Sequence, residues 1–190
     1  TLNGNGHTIS YNGDASESSP ADGALITIQG ENANNVTIQN LTVDTHGKVK
    51  HGVQFYCVTD GQLKDTTVNY TSVIVNGAGV SLTNCTLNPA EGAYANIEYA
   101  MGQNVTDIPT VTLDTVTGAA GKALVYADKN TADRLNTADS SIGESATQEE
   151  IASAINGNYL TGAEITLVYP SSEEGGNPIV VPGTEVYTIT

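Results

Sequence analysis

Four side chains in the middle of this chain have types and spacing suited to holding a sugar: Tyr56, Asn76, Glu98 and Tyr126. Aligned as successive copies of one short strand-like pattern, they form a single outward column, with Gln54, Ile74, Asn96 and Leu124 two residues upstream. Tyrosine rings stack on the apolar faces of pyranoses, while an amide and a carboxylate bind hydroxyls. An ordinary exposed β-face competes with this reading, because tyrosine is a good strand former wherever it sits. If the chain is an enzyme, Glu98 is the best acid. An inverting glycosidase needs a second carboxylate roughly 6.5–9.5 Å away, and Asp60 and Asp65 are the candidates for it. Lys48, Lys50 and His51, in the segment 45–52, come nearest to a basic site.

Metal chemistry is weakly represented. His7, His46 and His51 lack the close paired spacing of a zinc site, and Cys57 and Cys85 do not supply it. Asp14, Glu17 and Asp22 are candidate Ca²⁺ ligands, as are Asp128, Asp133 and Asp139, but solvated acidic loops are the favoured reading. No cofactor is therefore expected, with Ca²⁺ as the alternative. Two cysteines are too few for a disulfide framework, and Cys57 and Cys85 are read as buried, unpaired thiols in preference to a bridge.

Composition removes whole classes of partner. The 190 residues carry 6 Lys+Arg against 21 Asp+Glu, a formal charge of −15. Such a chain has no basic footprint for nucleic acid or an anionic membrane surface. Arg134 is the sole arginine, so the usual fork for gripping phosphate or polyuronate is missing too. No stretch approaches the roughly 20 apolar residues of a membrane-spanning helix, so no membrane insertion is expected. The chain shows no signal peptide and does not begin with Met, so it is read as a piece of a larger multidomain surface protein. Acidity, few lysines and abundant Asn and Thr fit an extracellular location.

The elements that must carry these residues announce themselves as a repeat. One phrase starts at Ile38, Leu63, Leu82 and Leu113, each reading large aliphatic, polar, Asn/Asp/Thr, a small or apolar residue, then Thr. A second pattern interleaves with it: Ala24-Ile26-Ile28, Val53-Phe55-Cys57, Val73-Val75, Ala95-Ile97-Tyr99 and Ala123-Val125-Ala127, written here by their alternate residues. Apolar side chains two apart signal a strand with one face inward. Leucine-rich repeats and immunoglobulin-type sandwiches do not show two interlocking patterns of this kind. A parallel β-solenoid does. Asn40, Asp65, Asn84 and Thr115 then share a position just after a strand, where asparagine tolerates left-handed backbone and hydrogen-bonds its neighbouring copy. Thr42, Thr67, Thr86 and Thr117 form a ladder beside them. Sequons at Asn35, Asn40, Asn69, Asn84 and Asn104 follow from the same grammar and say little about glycosylation.

The phrase Thr1-Leu2-Asn3-Gly4-Asn5-Gly6-His7-Thr8-Ile9-Ser10 resembles the opening coil of right-handed parallel β-helices of the pectate-lyase-like superfamily. Asn35-Val36-Thr37-Ile38-Gln39-Asn40-Leu41-Thr42-Val43 resembles their internal coil. The resemblance covers residues 1–127 and implies the fold and its right hand; the fold serves lyases, hydrolases, adhesins and passive stalks. The Asn-Thr-Asp, Asp-Asp, Gly-His-Gly and Arg-Ile-Lys motifs of polygalacturonase-type hydrolases are absent from the chain. The base of pectate-lyase-type enzymes has no counterpart in the coils, since Arg134 lies outside them.

Residues 128–146 are polar and read as a loop. Thr147-Gln148-Glu149-Glu150 is a capping box, and Ile151, Ala154 and Ile155 follow at helical spacing. Strands are expected at 163–168 and 185–189. This helix and these strands (147–190) either cap the solenoid or belong to a tandem array cut out of register. The whole chain reads as a single all-β domain, a right-handed parallel β-helix with a short helix and terminal strands as its cap. A structural or adhesive surface role, recognising glycans or a host surface, is expected. A carbohydrate-active enzyme of the same fold is the alternative.

Overall fold

Short runs rich in Val, Ile and Thr, broken by Gly and Asn, become strands because β-branched side chains pack well on a pleated surface. The computed structural model describes residues 1–30, 32–93, 95–119, 122–127, 131, 134–135, 160–162 and 179–180. Its strands are β1 (Leu2–Ser10), β2 (Ala21–Gln29), β3 (Thr37–Asp44), β4 (Val49–Tyr56), β5 (Gly61–Asn69) and β6 (Ser72–Asn76). They continue with β7 (Gly79–Asn88), β8 (Ala95–Ala100), β9 (Thr110–Thr117), β10 (Ala123–Ala127), β11 (Leu160–Gly162) and β12 (Ile179–Val180).

Successive strands alternate between two six-stranded sheets. The odd-numbered strands form one in the order β1-β3-β5-β7-β9-β11, and the even-numbered strands the other in the order β12-β10-β8-β6-β4-β2. Pairing is parallel throughout except for the antiparallel β10–β12 contact. Strands that neighbour each other in a sheet are thus separated in the chain by a strand of the other sheet.

The register stacks like on like. In the odd sheet Ile38, Leu63, Leu82 and Leu113 align, as do Thr42, Thr67, Thr86 and Thr117, and the same ladders reach Leu2 and Thr8 in β1. In the even sheet Val53, Val73, Ile97 and Val125 form one inward column and Phe55, Val75, Tyr99 and Ala127 another. These eight residues are at most 2% exposed, and both sheets contribute to one apolar cluster. The middle of the stack is dry and its β1–β2 end is not: no residue of β1 is buried, and Leu2 is 42% exposed.

Asn40, Asp65, Asn84 and Thr115 do adopt left-handed backbone, with φ between 46° and 56°. They lie inside β3, β5, β7 and β9, however, not after them. The register runs through each of them unshifted, so the left-handed residues stack strand on strand and the apolar columns continue on both sides. The side-chain amide of Asn84 donates to the Asp65 carboxylate (2.6 Å) and that of Asn40 to the Asn3 side-chain oxygen Oδ1 (3.2 Å). Cys85 follows left-handed Asn84 and is buried, its Sγ lying 3.3 Å from the carbonyl oxygens of both Leu63 and Thr83. Both cysteines are free thiols, but Cys57 is half-buried, not buried as expected. Its own backbone is left-handed, at φ 51°, where the chain leaves β4 and its side chain cannot follow the inward column.

The expected loop 128–146 needs one correction: Thr131, Arg134 and Leu135 have helical backbone, and Thr131 and Leu135 are buried. Their i, i+4 spacing puts the two on one face, and Leu135 joins the core cluster. The predicted helix at 147–155 and strands at 163–168 and 185–189 lie outside the described residues.

Candidate functional site

A surface groove of about 750 Å³ runs over the outer face of the even sheet. Glu98 on β8 is at its floor. One carboxylate oxygen, Oε2, lies 2.9 Å from His51 Nε2, and the other, Oε1, accepts the Ser72 hydroxyl at 2.6 Å. The His51 and Glu98 side chains are only 18% and 21% exposed. Ile74 and Tyr126 flank Glu98 on the adjoining strands β6 and β10.

Local backbone explains why the imidazole is there. Simple alternation from inward-facing Val53 would turn His51 into the core. Instead the β4–β6 register shifts between His51 and Val53, and His51 pairs with Ser72. Gly52 occupies the shift. A Cβ at this position would sit 2.7 Å from Val68 Cγ1 and 2.8 Å from Thr71 Cγ2, so only glycine fits without displacing its neighbours. The Thr71 hydroxyl donates to the Lys50 carbonyl at 2.6 Å, tying the start of β6 to this irregular part of β4.

Loops form the groove's walls. Tyr70, with left-handed backbone (φ 65°) and 52% exposed, reaches in from the β5–β6 turn. Glu17 lies against the His46–Gly47 turn. The opposite side is the segment 90–93 with Glu91, held by Lys122, whose ammonium donates to the carbonyls of Glu91 and of Ala93 (2.8 Å). Partial burial pushes the Lys122 pKa down and the nearby Glu91 charge opposes it; this lysine is a tether that gives two of its three donors to backbone carbonyls. At the rim the Lys50 ammonium lies 2.6 Å from Asp22, whose carboxyl it holds below the usual range.

Of the four residues expected in one column, the register separates two pairs. Tyr56 aligns with Asn76, and Glu98 aligns with Tyr126, but Asn76 aligns with Ala100 while Glu98 aligns with Ile74. The single column is thus a misalignment by two residues. A slip of two keeps every side chain on its proper face, so alternation alone cannot detect it. Glu98 and Tyr126 line the groove; Tyr56 and Asn76 do not. Asn76 is buried, its side-chain oxygen accepting the Gly102 N–H at 3.0 Å, and it serves the backbone. Asn96 and Leu124, assigned to the outward face, are fully buried. The Asn96 side-chain oxygen accepts the Ala119 N–H at 2.9 Å.

Neither expected second carboxylate meets Glu98. Asp65 belongs to the odd sheet, paired to Asn84, and Asp60 lies in the turn before β5. Glu17 and Glu91 line the groove in their place. Among the described residues no three His, Cys, Asp or Glu side chains assemble into a group that could hold a metal ion, Asp14, Glu17 and Asp22 included. Asp128, Asp133 and Asp139 lie outside the described residues.

The groove also contains Ser72, Tyr70 and Glu91, which sequence reasoning missed. His51 was noticed as a base but not as the partner of Glu98, 47 residues away. The only available signal was Gly52, a glycine inside a strand pattern, which marks a bulge or a close approach. The site can accept hydrogen bonds through carboxylates and an imidazole and offer tyrosine rings, with its lysines already engaged. It suits a ligand rich in hydroxyl donors and free of negative charge. Comparisons with protein-family models, curated proteins and solved structures find no match to this chain.

Proposed function

We propose that this chain is a structural or adhesive module of a larger extracellular, surface-attached protein, recognising glycans in the groove without turning them over. Its coils form a right-handed parallel β-helix of the pectate-lyase-like type. Strands that alternate between two parallel sheets, with like residues stacked in columns, support that reading. The right hand follows from the strong chirality of crossovers between parallel strands. The observation that carries the function is Glu98 at the groove floor beside Tyr126, both of its carboxylate oxygens hydrogen-bonded. A carboxylate so engaged holds a fixed shape for binding, whereas a general acid must release a proton toward its substrate. Crowding by Glu17 and Glu91, in a chain of pI about 4.1, favours neutral over acidic glycans.

The test is a binding and turnover screen over neutral and acidic polysaccharides. Binding to a neutral glycan without product, weakened about tenfold or more by Tyr126→Ala, is the expected result. The second reading is a carbohydrate-active enzyme with Glu98 as its acid, favoured by the presence of Glu17 and Glu91 in the same groove. Turnover abolished by Glu98→Gln would establish it and end the adhesive reading.

A further inference from the structure

The His51–Glu98–Ser72 group defines more than a floor. Glu98 Oε1 takes the Ser72 proton, and Oε2 faces His51 Nε2 at 2.9 Å. A ring nitrogen against an ionised carboxylate carries its proton there, because the other arrangement sets a lone pair against a negative charge. The neutral ring then has Nδ1 as a bare acceptor. Among the described residues Nδ1 has no hydrogen-bond partner, although the side chain is only 18% exposed. The ring lines the groove, so the space from which Nδ1 takes a partner is the groove.

We infer that Glu98 is a positioning residue and that His51, through Nδ1, is the residue that accepts a hydrogen bond from a hydroxyl of the bound ligand. This deepens the glycan reading and rests on it. The ligand class follows from the chemistry of the lining. Each Glu98 oxygen already has one partner, which fixes the carboxylate's orientation toward His51 and Ser72; Lys50 is paired with Asp22, and Lys122 donates to two backbone carbonyls. What remains facing the groove is acceptor-rich: His51 Nδ1 and the carboxylates of Glu17 and Glu91. An uncharged polyol such as a neutral oligosaccharide supplies donors to all three. A uronate or sulfated sugar would bring further acceptors and like charge.

Imidazole ¹⁵N–¹H correlation spectra of the whole chain, at mildly alkaline pH where a histidine ring is neutral, test the arrangement directly. The wild type is expected to show His51 as the Nε2–H tautomer. In Glu98→Gln the ring is expected to lose that single tautomer while backbone spectra remain those of the folded protein, a signature that a purely structural Glu98 would not give. Cello-, xylo- and manno-hexaose are then titrated as probes. Binding should move the Nδ1 resonance, and His51→Phe should weaken it by roughly five- to tenfold, as expected for loss of one hydrogen bond. Wild-type His51 with its proton on Nδ1 would overturn the inference whatever the sugars do. A hexaose that binds but leaves Nδ1 unmoved would overturn it and leave the glycan reading standing. Failure of every neutral and acidic glycan to bind would overturn the glycan reading, and the role of the ring with it.

Discussion

Cys85 and Cys57 are the same residue type in two environments, and the difference is measurable. Burial of Cys85 raises its thiol from the ordinary 9.0 to about 12, while half-buried Cys57 is raised less decisively, chiefly by the same desolvation and secondarily by Asp107. Thiol reagents should therefore modify Cys57 in the native protein and reach Cys85 only on unfolding. Equal native rates for the two would contradict the packing. A pH dependence follows as well. Between about pH 9 and 12 the unfolded chain ionises Cys85 and the native protein does not, so the native state binds the extra proton and stability falls as pH rises. That contribution is intact below the unfolded pKa and is lost through the alkaline range. Its size is on the order of a few kcal/mol, and Cys85→Ala should remove this part of the alkaline slope in urea titrations. The sequence shows which residues are cysteines. Their exposure depends on the left-handed backbone at Asn84 and at Cys57 itself, not on the thiol.

At the scale of elements, the odd-sheet columns through β3, β5, β7 and β9 were legible, whereas the addition of β11 to that sheet was not. The phrase beginning at Ile38, Leu63, Leu82 and Leu113 stacks in register as its spelling implies, because aliphatic, asparagine and threonine positions label the register at three points. The even sheet carries no such label. Val73-Val75 fits Ala95-Ile97 as well as Ile97-Tyr99 by alternation, and only the contacts select the second. The glutamate site depends on that choice and on the Gly52 shift, so it could not be read from the pattern. Packing gives the element-scale prediction. Leu82→Ala, in the dry middle of its column, should cost about 2–5 kcal/mol by transfer and cavity terms. Leu2→Ala, in the same column but 42% exposed, should cost no more than about 1 kcal/mol. Urea unfolding with an unchanged m-value is the measurement, and equal costs would mean that the β1 end is covered in solution.

For the whole molecule, stability is graded along the stack. Fully buried side chains run from β3 to β10, whereas β1 exposes most of its residues and β2 buries only Ile28. Amide exchange should be slower in β5–β7 than in β1 and β2 by on the order of tenfold or more, because a two-sided neighbour must open before a central strand can. Uniform protection would show that the sheets open as one unit. The acidic composition, the alternation of apolar residues and the repeated Asn and Thr positions are local properties. They determined by themselves that this chain makes many short parallel strands with stacked aliphatic columns, two or three strands to a repeat; the two sheets came from the structure. What only the tertiary structure decided is which outward residues meet: His51, Ser72 and Glu98 come from three strands of one sheet. Their meeting depends on a two-residue choice of register and a one-residue shift at Gly52. A period of two is blind to the first, and it puts His51 on the wrong face by missing the second.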